Sequence, residues 1–180
     1  MNRAVFVDRD GTLCPDVPYL DEKEKLELFP ETPGAIRRLK GAGFRIVVVT
    51  NQSGVGRGYF TLDALAAVHE RLRYLLKEAG ADVDALYYCP HAPDDGCDCR
   101  KPKTGMIDGA AAELSISLDK SYLVGDDTVD VQLARNAGLK AILVLTGHGK
   151  KSEPSVRADA VVRNLEEAAD WILKDAGKNE

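Results

Sequence analysis

The chain lacks a surplus of positive charge, lacks any apolar run as long as a membrane span, and holds only four cysteines. Its 24 lysines and arginines are outnumbered by 29 acids, giving a net charge of -5 and a pI near 5.3. An acidic surface disfavours adhesion to nucleic acid or to an anionic membrane, so neither partner is expected, and an anionic substrate must find its positive charge locally. Met1-Asn2-Arg3 leads straight into a short apolar stretch with no hydrophobic signal region, from which a soluble, cytoplasmic protein is expected. The cysteines do not read as a disulfide framework, because three of them crowd into eleven residues with a histidine. Internal repeats and low-complexity segments are missing too. Aromatic residues make up 6% of the 180 positions, yet 44% are hydrophobic. That supports one well-buried core, hence one domain over residues 1–180, taken to act as a monomer.

What is present is an alternation of apolar strands and helix-patterned segments, the signature of a parallel sheet flanked by helices. Strands are expected at 4–7, 44–50, 85–89, 121–124 and 141–145, with an edge strand at 160–162. Several are continuously apolar, as strands buried on both faces should be. The stripe Leu62, Leu65, Val68, Leu72, Leu75, Leu76 and Ala79 marks a helix, capped by Thr61 and ended by Gly80. Pro33 suits the first turn of a helix running to about Ala42, with Thr32 as its cap. Further helices fit 105–114, 128–137 and 165–176. The run Asp21-Glu22-Lys23-Glu24-Lys25 reads as a solvated surface segment.

Ligands of an open parallel sheet bind beyond the carboxyl ends of its strands, and the polar residues here collect there. Val7-Asp8-Arg9-Asp10-Gly11-Thr12 sets two carboxylates two residues apart, on one face of a strand's end, with a glycine free to turn. A calcium loop would carry its glycine at the sixth position and a flanking helix, and neither applies. The second strand delivers Thr50-Asn51-Gln52-Ser53-Gly54, the fourth Gly125-Asp126-Asp127, and Arg100-Lys101-Pro102-Lys103 follows the third. Phosphoryl transfer needs these parts: a carboxylate to attack phosphorus, oxygen ligands from Asp8, Asp10 and Asp126 for a magnesium ion, and donors from Thr50 and Lys101 for the phosphate oxygens. Each segment also has a plainer explanation, since Thr50 and Asn51 can end a strand, Lys101 can be surface charge, and Asp126-Asp127 can cap the next helix.

Cys89-Pro90-His91 and Cys97-Asp98-Cys99 offer three thiolates and one imidazole within loop 89–99. That is the ligand set of a closed, structural zinc site, which would stiffen the loop carrying Arg100 and Lys101. Cys14 lies outside it and reads as a packed thiol. His69 and His148 read as bystanders, although His148 can reach the mouth of a pocket.

Asp8-Arg9-Asp10-Gly11-Thr12, Thr50-Asn51, Lys101 and Gly125-Asp126-Asp127 with Asp130 resemble the four motifs of the haloacid dehalogenase superfamily of phosphatases. The resemblance implies an α/β fold of haloacid dehalogenase type, a Rossmann-like parallel sheet sandwiched by helices. It implies that Asp8 is the nucleophile and Asp10 the general acid and base. Thr50 and Lys101 become phosphate ligands. Magnesium falls to Asp8, the main-chain carbonyl of Asp10 and Asp126, with Asp127 and Asp130 one layer behind them.

The zinc knuckle (Cys89, His91, Cys97, Cys99), together with Thr50-Asn51-Gln52-Ser53-Gly54-Val55-Gly56-Arg57-Gly58, looks like the heptose 1,7-bisphosphate 7-phosphatases of heptose precursor biosynthesis. This second, narrower resemblance implies that the fold lacks a large cap domain and carries the zinc-binding loop as an insertion. It also implies a sugar-phosphate substrate recognised by Asp16 to Tyr19, Asn51, Gln52, Ser53, Arg57 and Arg100. Histidinol-phosphate phosphatases share the motifs and the short spacing from His91 to Cys97. The stretch from Gln52 to Phe60 leans toward the heptose enzymes. A phospho-acceptor signalling domain would carry its aspartate after the third strand, where this chain has Cys89.

Overall fold

The computed structural model describes residues 1–178. Its strands are β1 (Arg3–Val7), β2 (Phe44–Asn51), β3 (Ala85–Cys89), β4 (Tyr122–Gly125), β5 (Lys140–Val144) and β6 (Ala160–Val162). They form one sheet, ordered β3-β2-β1-β4-β5-β6, and every neighbouring pair is parallel. In this doubly wound order the chain reverses direction of travel between β1 and β4, and a crevice opens beyond their carboxyl ends.

The helices are α1 (Thr32–Gly41), α2 (Ser53–Gly56), α3 (Leu62–Glu78), α4 (Gly105–Leu114), α5 (Thr128–Ala137), α6 (Gly149–Ser152) and α7 (Leu165–Ala176). Successive strand residues point to opposite faces, and the core divides accordingly. Val5, Val7, Ile46, Val48, Val124 and Val144 pack with Ile36, Leu39, Val68, Leu72, Leu76 and Ile172 of α1, α3 and α7. Ala4, Phe6, Val47, Val49, Leu123 and Leu143 pack with Met106, Ile107, Val131 and Leu133 of α4 and α5. Burial on both faces explains why these strands are apolar throughout. The connection from β1 to α1 contains only the short 3-10 turn Lys23–Lys25, so no large cap is built there.

Two local expectations are corrected. Thr32 is not the cap of α1: Glu31 holds that position, and the buried Thr32 hydroxyl donates to the Leu13 carbonyl at 2.9 Å. A hydroxyl that ties a helix start to the turn after β1 is no longer free to cap its own helix. In α3, Leu62 is exposed and the buried stripe is Leu65, Val68, His69, Leu72 and Leu76. Thr61 does cap that helix, accepting from the Ala64 amide.

Candidate active site

The exits of β1, β2 and β4 converge on a cleft of about 270 Å³ lined by Asp8, Asp10, Asp16, Thr50, Asn51, Arg100, Lys101, Asp126, Asp127, Val129, Asp130 and His148. The Asp8 amide donates to the Val124 carbonyl at 2.9 Å, so the sheet's own pairing carries the carboxylate to the end of β1. Gly11 then turns with φ +78, and a Cβ there would stand 2.2 Å from an Asp126 oxygen. Only glycine satisfies both demands. At the end of β4, a Cβ on Gly125 would lie 2.3 Å from the Asp130 carboxyl carbon, so the bare backbone lets that side chain sit under the strand.

Charge is densest around Lys101. Its buried ammonium donates to Asp8 Oδ1 at 2.8 Å, to Asp130 Oδ1 at 2.7 Å and to the Val49 carbonyl at 3.2 Å. Burial alone would lower the lysine's pKa, but the charges of Asp130 and Asp8 outweigh it and hold the ammonium protonated well above the ordinary value. The single cation does not balance the acids. Burial, with Asp130, Asp126 and Asp10 nearby, pushes Asp8 well above the usual carboxylate range against the pull of Lys101. Burial likewise raises Asp126 to about 7, although the His148 amide donates to its Oδ2 at 2.7 Å.

Such an excess of buried negative charge calls for a cation. Oxygens of Asp8, Asp126 and Asp130 lie within 4.8 Å of one another, a hard-oxygen cradle that suits magnesium. A second cluster joins Cys89, His91, Cys97 and Cys99. Cys89 Sγ lies 3.6 Å from Cys97 Sγ and from His91 Nδ1, and Cys99 Sγ lies 3.2 Å from that nitrogen. A zinc tetrahedron with metal–sulfur bonds of about 2.3 Å has sulfur–sulfur edges of roughly 3.8 Å, so the donor set and its spacing fit zinc.

The knuckle is tied at both ends to the end of β2 and the segment that follows it. The Gln52 amide donates to the Cys89 carbonyl at 2.7 Å and the Gly56 amide to the Pro90 carbonyl at 2.8 Å. Where the loop ends, Asn51 Oδ1 accepts from the Lys101 amide at 3.0 Å, and its Nδ2 donates back to the Lys101 carbonyl at 3.3 Å.

Comparison with known proteins decides the family. A D-glycero-beta-D-manno-heptose-1,7-bisphosphate 7-phosphatase of Pseudomonas aeruginosa is 42% identical over 97% of this chain and 100% of its own length. The chain belongs to the heptose-bisphosphate phosphatase family. The Helicobacter pylori enzyme of the same name is 39% identical over 95% of this chain and 97% of its own. The HAD-hydrolase-like family profile matches residues 98–168. The crystal structure of a D,D-heptose 1,7-bisphosphate phosphatase from B. bronchiseptica, complexed with magnesium and phosphate, superposes with a TM-score of 0.90 at 35% identity, over 97% of this chain and 99% of that one. Membership of this haloacid dehalogenase-type family makes the chain a phosphoric monoester hydrolase.

Against that family background, the structure brings together most but not all of the residues expected from sequence. Asp8, Asp10, Thr50, Lys101 and Asp126 share the cleft with Asp16, Asn51 and Arg100. Gln52 sits just behind it, donating at 2.8 Å to both Asp10 Oδ2 and Thr50 Oγ1. Tyr19, Ser53 and Arg57 are not brought to the lining: Tyr19 packs edge-on against Tyr59 at 4.6 Å, Ser53 opens α2 and Arg57 is exposed. Asp127 caps α5 in a reciprocal capping box with Asp130. Asp130, expected one layer back, instead reaches the Asp8 and Lys101 cluster directly.

Sequence reasoning missed Arg9 altogether and undervalued His148. The His148 ring stands 3.3 Å from Asp16 and 3.8 Å from Asp127 at the cleft, and its amide holds Asp126. No local pattern signals a loop amide. The one sequence cue was its position after β5, next to the other strand ends.

Proposed function

We propose that this chain removes the 7-phosphate of D-glycero-D-manno-heptose 1,7-bisphosphate through an aspartyl-phosphate formed on Asp8, as a monomeric, cytoplasmic enzyme whose one domain spans residues 1–180. The observation that carries the mechanism is the placement of Asp8 at the sheet's switch point, beside Lys101 and within reach of Asp126 and Asp130. The substrate assignment is supported by the names of the two relatives and of the crystallised neighbour. Among the described residues no helix is long and apolar enough to cross a membrane.

In the first step an Asp8 carboxylate oxygen attacks phosphorus, the bond from phosphorus to the sugar oxygen breaks, and Asp10 protonates that oxygen. In the second, Asp10 takes a proton from the water that attacks phospho-Asp8, releasing phosphate and restoring the carboxylate. Thr50 and Lys101 hold the phosphoryl oxygens as preorganised donors. Asp8, the Asp10 carbonyl and Asp126 would hold a magnesium ion, which would supply positive charge to offset the repulsion between attacking carboxylate and phosphate. Arg100, at the cleft wall, is placed to read a second phosphate or sugar oxygens by a bidentate contact. Zinc in the knuckle is structural.

The test compares phosphate release from heptose 1,7-bisphosphate and from histidinol phosphate, with Asp8→Asn as control. The heptose bisphosphate is expected to give the higher kcat/KM, and the Asp8→Asn variant no turnover. A faster histidinol reaction would move the substrate assignment to that neighbouring family and leave the chemistry in place.

A further inference from the structure

Asp10 carries the proton in this reading, so what holds its carboxylate matters. An aspartate's terminal torsion is broad and roughly two-fold, and a free carboxylate would sample many orientations. Here it does not turn freely. Arg9 Nε donates to Asp10 Oδ1 at 2.9 Å and Arg9 Nη2 to Asp10 Oδ2 at 2.8 Å, a two-point fork between adjacent residues. Gln52 Nε2 adds a second donor to Oδ2 at 2.8 Å, and Cys14 Sγ lies 3.8 Å from Oδ1.

The Arg9 side chain is 1% exposed, its Nη1 is buried without a partner, and among the described residues Asp10 is the one carboxylate it pairs with. A buried guanidinium is expensive, and an apolar side chain of similar size often serves stability as well or better. Arg9 therefore makes little sense as core filler. Asp10 keeps a fifth of its side chain open to the cleft, where an acid or base must reach substrate.

We propose that Arg9 is a positioning residue whose guanidinium fork fixes the Asp10 carboxylate in the orientation from which it serves the departing sugar oxygen. Lysine would not substitute, since an ammonium is a point donor that cannot hold both oxygens in one plane. The inference rests on the assignment of Asp10 as acid and base.

The experiment separates the two through the leaving group. A sugar alkoxide needs a proton to depart, whereas p-nitrophenolate leaves without one, and kcat/KM reports events up to cleavage of the phosphorus–oxygen bond. For Arg9→Lys, and for Arg9→Gln as a second variant, kcat/KM on heptose bisphosphate is expected to fall roughly 10- to 100-fold, the scale set by misplacing a catalytic group. On p-nitrophenyl phosphate it should stay within about twofold. Equal losses on both substrates would make Arg9 merely structural, and no loss on either would remove it from the reaction; both outcomes overturn the proposal. Asp10→Asn is run in parallel. If it shows the leaving-group split and the Arg9 variants do not, only the positioning role fails; if Asp10→Asn itself shows no split, the acid–base assignment fails and takes the Arg9 role with it.

Discussion

The Nζ of Lys101 stands 2.8 Å from Asp8 Oδ1, joining the loop after the zinc knuckle to the end of the first strand. The same ammonium reaches Asp130, so one cation serves two buried acids. Removing it by Lys101→Met leaves both carboxylates in a site that already disfavours charge. Turnover is expected to fall by about 10²- to 10³-fold, as for loss of a preorganised donor. Urea unfolding of the magnesium-free variant should also show a loss of roughly 3 kcal/mol or more at pH 8, the scale of breaking a buried ion pair. Under more acidic conditions that loss should shrink, because burial raises the Asp8 carboxyl and lets it take up a proton instead.

Asp126 predicts how magnesium stabilises the fold. Its carboxyl is raised by burial from an ordinary 3.8 to about 7, so between those values the folded protein binds more protons than the unfolded chain. Stability without metal therefore declines as pH climbs from about 4 to about 7. A bound cation favours the ionised form and offsets that decline. Thermal unfolding with and without millimolar magnesium should show a small increment in Tm at pH 5 and a larger one at pH 8. An increment independent of pH would mean that Asp126 does not face the ion.

Much of this arrangement was legible in the sequence because it rides on strand periodicity. Asp8 follows four fully buried β1 residues, Ala4 to Val7, and Asp126 follows a buried β4, so apolar runs ending in acids located both. The knuckle was legible for a different reason: all four candidate ligands lie in one short loop, where their spacing shows in the sequence. What stayed hidden depends on side chains doubling back. Residues 9 and 10 would point to opposite faces of an ideal strand, but β1 ends at Val7, and beyond it the Arg9 side chain forks its neighbour. The depth of Asp130 follows from the missing side chain at Gly125, a contact between a strand end and a helix start that no helical or strand pattern encodes.

His69 gives a second pH dependence, of opposite sign. Burial first, then the nearby charge of Arg9, lowers its pKa from 6.5 to about 3. The folded protein keeps the imidazole neutral while the unfolded chain protonates near 6.5. Its contribution is thus present above that value and is lost as pH falls toward 3. A His69→Leu variant, measured by urea unfolding at pH 7 and at pH 4.5, should lose less stability on acidification than the parent. Equal losses would show that carboxylates held below their ordinary range by cationic partners, such as Asp84 and Asp175, account for the acid limb without the histidine.

Asn51 links the cysteine knuckle to Lys101. Its amide pairs with both backbone groups of Lys101, while the Cys89 and Pro90 carbonyls accept from the Gln52 and Gly56 amides. The knuckle and the Thr50 segment thus brace one another, and a zinc ion bound by the four knuckle side chains would set the spacing between the two ties. Metal binding of this kind is folding free energy for the loop. Cys99→Ser should therefore lower bound zinc, measured by atomic absorption, and with it kcat, even though no thiol touches the cleft. Asn51→Ala should keep its zinc and still lose activity, because Lys101 is released from β2 while the knuckle stays closed. If Cys99→Ser loses zinc but keeps full turnover, the loop holds Lys101 without help from the metal, and the brace through Asn51 suffices alone.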